Sequence, residues 1–311
     1  MNTKLPSGAA TPTDLYICPY DLSRDTASMT ATEIALERIA AADIESKRKK
    51  SFDEEQADAR QKKELTLPFR LYASSYAMAR DILLTKLFRL GIGERKHIKG
   101  ETLVSALGGT ITHRGPELRQ DDGGVFMALI ARTRGHLVTK TIAFNPKELV
   151  AEMGREHKDA RYSVQHLREC IKRLQSSVIG IAQGHNFLDV VMVQRFVGDS
   201  QLWTVQLDSD VVLLFQNDDK HPTYIDIKKR ARLKDGMQTY LQGHFLAHYE
   251  HNEFTLQELQ EHSGSDSSLK VFGREVRGAL PRLVHAGVIE SYTTPRGSVC
   301  IKRVAPKGAQ A

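Results

Sequence analysis

The residues from Thr139 to Val304 run through one order of elements twice, and no other feature constrains the fold as much. In the first pass a strand at 139–144 leads into Asn145-Pro146. An asparagine N-cap followed by a first-turn proline opens a helix, because neither residue wastes a backbone donor there. That helix is predicted to end near Met153, with Gly154 in the loop before a long helix over 159–177. Strands at 178–183 and 187–196 follow, joined by Gly184-His185-Asn186, then a strand at 202–207 and the apolar run VVLLF at 211–215. In the second pass a helix near 234–249 precedes Glu253-Phe254-Thr255-Leu256, where Thr255 and Glu258 have capping-box spacing. A helix at 257–262 ends in Ser263-Gly264, a long helix begins near Ser267, and strands at 287–293 and 298–304 flank the turn Pro295-Arg296-Gly297.

Helix, helix and a two-stranded hairpin is the order of a winged helix, so an α+β fold with tandem winged-helix domains is predicted. Upstream, 74–90 has helical character, 98–118 reads as short strands turning at Gly108-Gly109, and Asp121-Asp122 caps a helix over 121–134. Residues 1–29 mix Pro, Gly, Ser and Thr and read as a disordered tail. From Thr30 to Lys63 the chain is helix-compatible, with KRKK at 47–50 facing DEE at 53–55. The predicted layout is a tail over 1–63, an apolar island at 64–69, a first domain over 70–220 and a second over 221–311.

Composition narrows the function classes. With 41% hydrophobic residues the 311-residue chain can build real cores, yet no apolar run approaches the ~20 residues that cross a bilayer. No secretion signal opens the sequence. Cys18, Cys170 and Cys300 are too few and too scattered for a zinc pattern or a disulfide framework, which suits a reducing cytoplasm. The net charge of +6 is uneven. Residues 1–64 hold 10 Lys/Arg and 12 Asp/Glu, leaving 34 basic and 26 acidic residues for 65–311. A basic body behind a neutral tail points to a polyanion, nucleic acid first.

A DNA-reading helix needs one buried face and an adjacent face of long polar side chains. In the second long helix Phe272, Val276, Ala279, Leu280 and Leu283 share one side, while Lys270, Arg274 and Arg277 fall more than a quarter-turn away. Ser265 and Ser267 precede it, where free backbone N–H groups would hold a phosphate. Arg296 at the hairpin tip and Lys302-Arg303 behind it suit a wing on the sugar-phosphate backbone. The first long helix repeats this, with Val164, Leu167, Ile171 and Leu174 apolar and Arg161, Gln165, Arg168 and Lys172 polar. Either helix alone reads equally well as a surface helix with extended basic side chains. Lys228-Lys229-Arg230 and Arg232 are either further phosphate contacts or a solvated linker.

No catalytic constellation holds. The chain has no GxxxxGK[ST] loop for nucleotide phosphates and no His-apolar-His triplet of the kind nickases use. His244, His248 and His251 lie at i, i+4 and i+7 and invite a metal, but without the glutamate of a zinc-protease motif they read as partly exposed helix surface. Pro281 falls inside the second long helix and is predicted to kink it or end it near Ala279.

Three stretches resemble the TrfA-type plasmid replication initiators: THRGPELRQDD at 112–122, IKRLQSSVIG at 171–180, and SGSDSS followed by REVRGALPRLVHAGVIE within 263–290. The similarity runs from about residue 65 to 303 in consistent order. It implies a non-enzymatic initiator that binds directly repeated iterons in double-stranded origin DNA and helps melt an adjacent A·T-rich segment. It also implies recruitment of DnaA, the replicative helicase and the sliding clamp, and a monomer–dimer equilibrium. Whether melted single strands are bound stays open. Glu64-Leu65-Thr66-Leu67-Pro68-Phe69 is similar to the peptides that dock on sliding clamps, with Glu64 in place of the usual glutamine and Leu65, Leu67 and Phe69 as the apolar contacts. The same segment reads equally as a strand packed on the first domain. A winged-helix repressor controlling copy number is the nearest alternative function, and a nickase or metal-dependent nuclease at the origin, or a scaffold that reads no DNA, are the others.

Overall fold

The computed structural model describes residue 67 and residues 69–104, 110–134, 140–155, 160–183, 186–215 and 222–304. The predicted tail, most of the 64–69 island and the Gly108-Gly109 turn therefore lie outside the described residues. Residues from Glu64 onward form one compact unit.

That unit contains two hydrophobic cores. The first runs in sequence from Tyr76 to Ile225 and the second from Tyr240 to Ile301. Strand β1 (Ser75–Met78) and helix α1 (Arg80–Leu84) open the first core, followed by β2 (His97–Val104), β3 (Thr110–Pro116) and α2 (Gln120–Arg132). Next come β4 (Ile142–Phe144), α3 (Pro146–Glu152), α4 (Ala160–Gln175), β5 (Val178–Gln183), β6 (Asn186–Val191), β7 (Val193–Gly198) and β8 (Trp203–Leu207). A 3-10 helix (Ser209–Phe215) and β9 (Thr223–Asp226) complete it. The second core is built from α6 (Met237–Ala247), β10 (Glu253–Thr255), α7 (Leu256–Ser263), α8 (Leu269–His285), β11 (Ile289–Thr293) and β12 (Ser298–Arg303). Helix α5 (Ile227–Ala231) links the two.

Both halves share one connectivity. In each, a helix is followed by a short strand, two more helices and a hairpin, and the short strand pairs with the last strand. The sheet order is β4-β8-β7 in the first half and β10-β12-β11 in the second. The local signals act as expected at several joints. The Asn145 side chain accepts from Lys147 N with Pro146 in the first turn, and the Thr255 side chain accepts from Glu258 N. Gly264 closes α7 in the left-handed region at φ 62°, a conformation that glycine adopts without a Cβ penalty.

The structure departs from the expectations in four places. The hairpin directly after α4 is not the first half's terminal hairpin: β5 and β6 extend a four-stranded sheet of order β2-β3-β5-β6, and β7-β8 take the other place. The expected single strand 187–196 breaks at Met192, where the chain passes from one sheet to the other. The expected helix over 74–90 begins as β1, because β9 pairs antiparallel with it from Ser75↔Asp226 to Met78↔Thr223. That partner lies far away in sequence, beyond the predicted boundary at 220, so the first core extends further than expected. Finally, α8 neither stops nor breaks at Pro281 but continues to His285. An interior proline costs ~3 kcal/mol, whereas Leu280 and Leu283 are fully buried on either side of it and contribute about 2 kcal/mol each. Burial wins, and Pro281 itself faces solvent.

Candidate nucleic-acid interface

Helix α4 presents the first basic surface. Leu167, Ile171 and Leu174 are buried and Val164 is half-buried, which leaves Gln165, Arg168 and Lys172 exposed on the outer face. These three border a groove of about 930 Å³ whose opposite wall is the β7–β8 hairpin, from Phe196 through Ser200 to Trp203. The hairpin end is held locally. Asp199 accepts from Gln201 N (2.7 Å) and Leu202 N (2.9 Å), and the Trp203 indole N–H donates to the Asp199 carbonyl (2.8 Å). Lys147 also lines the groove. Sequence reasoning missed it, since it belongs to α3 and nothing local connects it with α4. Arg161 falls within α4, but its side chain lies outside the described residues.

The inner polar edge of α4 is anchored to the start of α2. Asp122 is fully buried and accepts from Arg119 N (2.8 Å), Arg95 Nη1 (2.7 Å) and Arg173 Nε (2.9 Å). Asp121 accepts from Arg95 Nη2 (2.6 Å), and His166 Nε2 lies 3.1 Å away. Burial alone would push the Asp121 carboxyl up, but the hydrogen bonds from His166 and Arg95 and the Arg95 charge hold it well below the usual carboxylate range. His166 and Arg173 belong to α4, so this network fixes how α4 is turned and which residues it shows to solvent. From sequence the two aspartates read only as a helix cap; the missed signal was Arg95, some 26 residues upstream.

Helix α8 carries the second basic surface. Phe272, Val276, Ala279, Leu280 and Leu283 are buried, and Lys270, Arg274 and Arg277 are all exposed. The turn before it differs from expectation. Ser265 Oγ and Ser267 Oγ lie 2.9 Å apart, Ser265 N donates to Ser263 Oγ (3.2 Å) and Ser267 N to Ser265 Oγ (3.3 Å). Those serines and their N–H groups close the turn instead of waiting for a phosphate.

In the β11–β12 hairpin, Arg296 is exposed at the tip. Lys302 is exposed and meets Glu290 at 2.6 Å, a surface pair worth at most about 1 kcal/mol that leaves the amine accessible. Arg303 does something else. Its guanidinium donates to the carbonyls of Phe245 (2.7 Å) and His248 (2.6 Å), to that of His251, and through Nε to Asn252 Oδ1 (3.0 Å). It satisfies the carbonyls at and beyond the end of α6 and is not a phosphate ligand. Arg230 is likewise spent, buried and donating to Thr239 O (2.9 Å), with burial lowering its pKa to about 10.

Of the 64–69 island, Leu67 and Phe69 are described, and both pack half-buried against the first core, with the Phe69 ring tilted against that of Phe215 at a centroid distance of 5.0 Å. This placement favours the packed-segment reading for those two side chains. Glu64 and Leu65 lie outside the described residues. Among the described residues no helix is long and apolar enough to cross a membrane.

A family model described as TrfA protein matches residues 77–303. No curated protein matches the chain by sequence. Among solved structures, the crystal structure of domains 2 and 3 of RctB aligns at 13% identity over 74% of this chain and 100% of that chain, with a TM-score of 0.54. That likeness shows a shared fold. The Pi initiator protein, in its crystal structure with iteron DNA, aligns at 13% identity over 66% of this chain and 100% of that chain, with a TM-score of 0.42.

Proposed function

Because the chain belongs to the TrfA family of plasmid replication initiators, we propose that it binds directly repeated iterons in a plasmid origin through two winged-helix domains. The observation that carries this reading is the pair of helices, α4 and α8, each with a buried apolar face, an exposed basic face and a β-hairpin following in the same three-stranded sheet arrangement. Arg168, Lys172, Arg274 and Arg277 enter the major groove, where an arginine fork matches guanine O6 and N7. Lys302 and Arg296 rest on phosphates. Two reading helices on one chain suit a site of two half-elements.

The protein performs no covalent chemistry in this reading. Bending of the bound duplex contributes to opening an adjacent A·T-rich segment, and host factors (DnaA, helicase and sliding clamp) assemble on the bound initiator in the cytoplasm. Control of copy number follows from how many repeats are filled and from a monomer–dimer balance.

Replacement of one arginine per reading helix tests this. Arg168→Ala and Arg274→Ala each lose about 1–3 kcal/mol for the cognate repeat and relax base choice at one position, with binding to random DNA nearly unchanged. Equal losses on cognate and random duplex would assign these residues to phosphate contacts only. A supercoiled origin plasmid incubated with the protein and magnesium is expected to stay unnicked.

A further inference from the structure

The interior of the second half holds four potential ligands that the DNA-binding reading does not use. His244 and His248 come from α6 and its C-cap, Glu258 and His262 from α7, and one ligand atom from each lies within 4.8 Å of all the others. Each helix thus supplies a pair spaced i and i+4, so the two pairs face each other across the α6–α7 contact. His251, which the sequence placed in a stripe with His244 and His248, is exposed and outside this group, because α6 ends at Ala247 and the chain turns away. His262 takes its place, brought in by tertiary packing alone.

Three nitrogens in the group are orphans. His244 Nε2, His248 Nε2 and His262 Nδ1 are inaccessible to solvent and have no hydrogen-bond partner. Buried polar atoms in native proteins nearly always have one, in protein, water or ion. Three unpaired imidazole nitrogens within one such group are what a bound cation would leave behind.

The surroundings also set the proton on His244. Tyr240 Oη donates its only hydrogen to the Leu259 carbonyl at 2.7 Å, so toward His244 Nδ1, 3.4 Å away, it acts as an acceptor. Nδ1 must then carry the ring proton, and Nε2 presents a lone pair to the cluster. An imidazole whose far nitrogen is fixed by a hydrogen bond is the usual support of a metal-ligating histidine. Phe254 walls the group, its ring centroid 5.4 Å from that of His244 and 5.8 Å from that of His248. Among the described residues, the other grouping of this kind, Asp121, His166 and Cys170, is different, because Arg95 and Arg173 already occupy its carboxylate.

We propose that His244, His248, His262 and Glu258 bind one zinc ion that pins α6 to α7 and thereby sets the base on which α8 is mounted. Three neutral nitrogens and one carboxylate form a donor set that zinc accepts in tetrahedral geometry. Bonds of about 2.0–2.1 Å require ligand atoms roughly 3.3 Å apart, a contraction from the 4.8 Å envelope that side-chain rotation supplies. The role is structural, since all four positions are protein ligands.

The full-length protein, freed of metal by chelator and dialysis, is titrated with Zn²⁺ and separately with Co²⁺. Zinc is expected to bind at one equivalent and raise the Tm, and cobalt to give the intense visible absorption of a tetrahedral site. His262→Asn abolishes the stoichiometric zinc and the cobalt spectrum, the exposed control His251→Asn retains both, and Tyr240→Phe weakens zinc affinity 10- to 100-fold. Absence of zinc binding by the folded wild-type protein would overturn the proposal. So would a six-coordinate cobalt spectrum, or stoichiometric zinc retained by His262→Asn. The wild-type cobalt spectrum decides the matter even if His262→Asn fails to fold.

Discussion

Lys302 and Arg303 are neighbours on one strand with the same charge, and their duties are opposite. Strand alternation sends Lys302 to solvent and turns Arg303 back over the end of α6, where it serves three carbonyls. Arg303→Met is therefore expected to destabilise the fold by about 1–2 kcal/mol, from the loss of several hydrogen bonds to partly buried acceptors. Lys302→Met should leave the Tm nearly unchanged while lowering the salt slope of DNA binding by about one. Urea denaturation beside a salt titration separates the two. Only the period of two was legible beforehand; that the inward arginine would meet a helix end was not.

His113 offers a second test at this scale. It is buried on β3 with Nε2 unpaired, and burial first, then Arg89 and His97, lower its pKa from 6.5 to about 4. For a base with a lowered folded pKa, the unfolded chain takes up the proton first as pH falls. Stability from this group is thus full above pH 6.5 and lost progressively toward pH 4, by up to about 3 kcal/mol. His113→Phe is expected to remove that part of the slope, measured as the difference between mutant and wild-type denaturation midpoints across the interval. An unchanged slope would mean that His113 has a partner for its charged form.

Elements were legible where their cause was local. The Asn145-Pro146 start of α3, the Thr255 cap of α7 and the apolar stripes of α4 and α8 all depend on residues within a few positions. Strand β1 and the allocation of hairpins depend on partners far along the chain. Residues 75–78 pair with β9, and β5–β6 join β2–β3, so local periodicity assigned a helix to one and the wrong sheet to the other. Pro281 shows the same competition within a single helix. Since α8 runs through it and the residue is exposed, Pro281→Ala restores a helical N–H and removes a clash without touching the core. A gain of about 1–3 kcal/mol is expected, read as a higher Tm. A lower Tm would show that the proline shapes α8 in a way the core requires.

At the scale of the whole molecule, the sequence carried the duplicated order, the excess of basic residues beyond position 64 and the family resemblance, and the family match over 77–303 bears that resemblance out. What it lacked was the set of contacts between distant segments: Asp121 and Asp122 with Arg95 and Arg173 beside α4, and the grouping of His244 and His248 with Glu258 and His262. Each joins segments that no local pattern connects. If two basic helix faces on one chain read repeated DNA, a gel-shift titration at two salt concentrations will show it. The probes are a duplex of direct repeats from the plasmid origin and a scrambled duplex of equal composition. Sequence-specific reading gives discrete shifts, one per repeat, with preference for the repeats at both salts and an affinity that falls steeply as salt rises. Equal affinity for both duplexes, lost together at high salt, would contradict it.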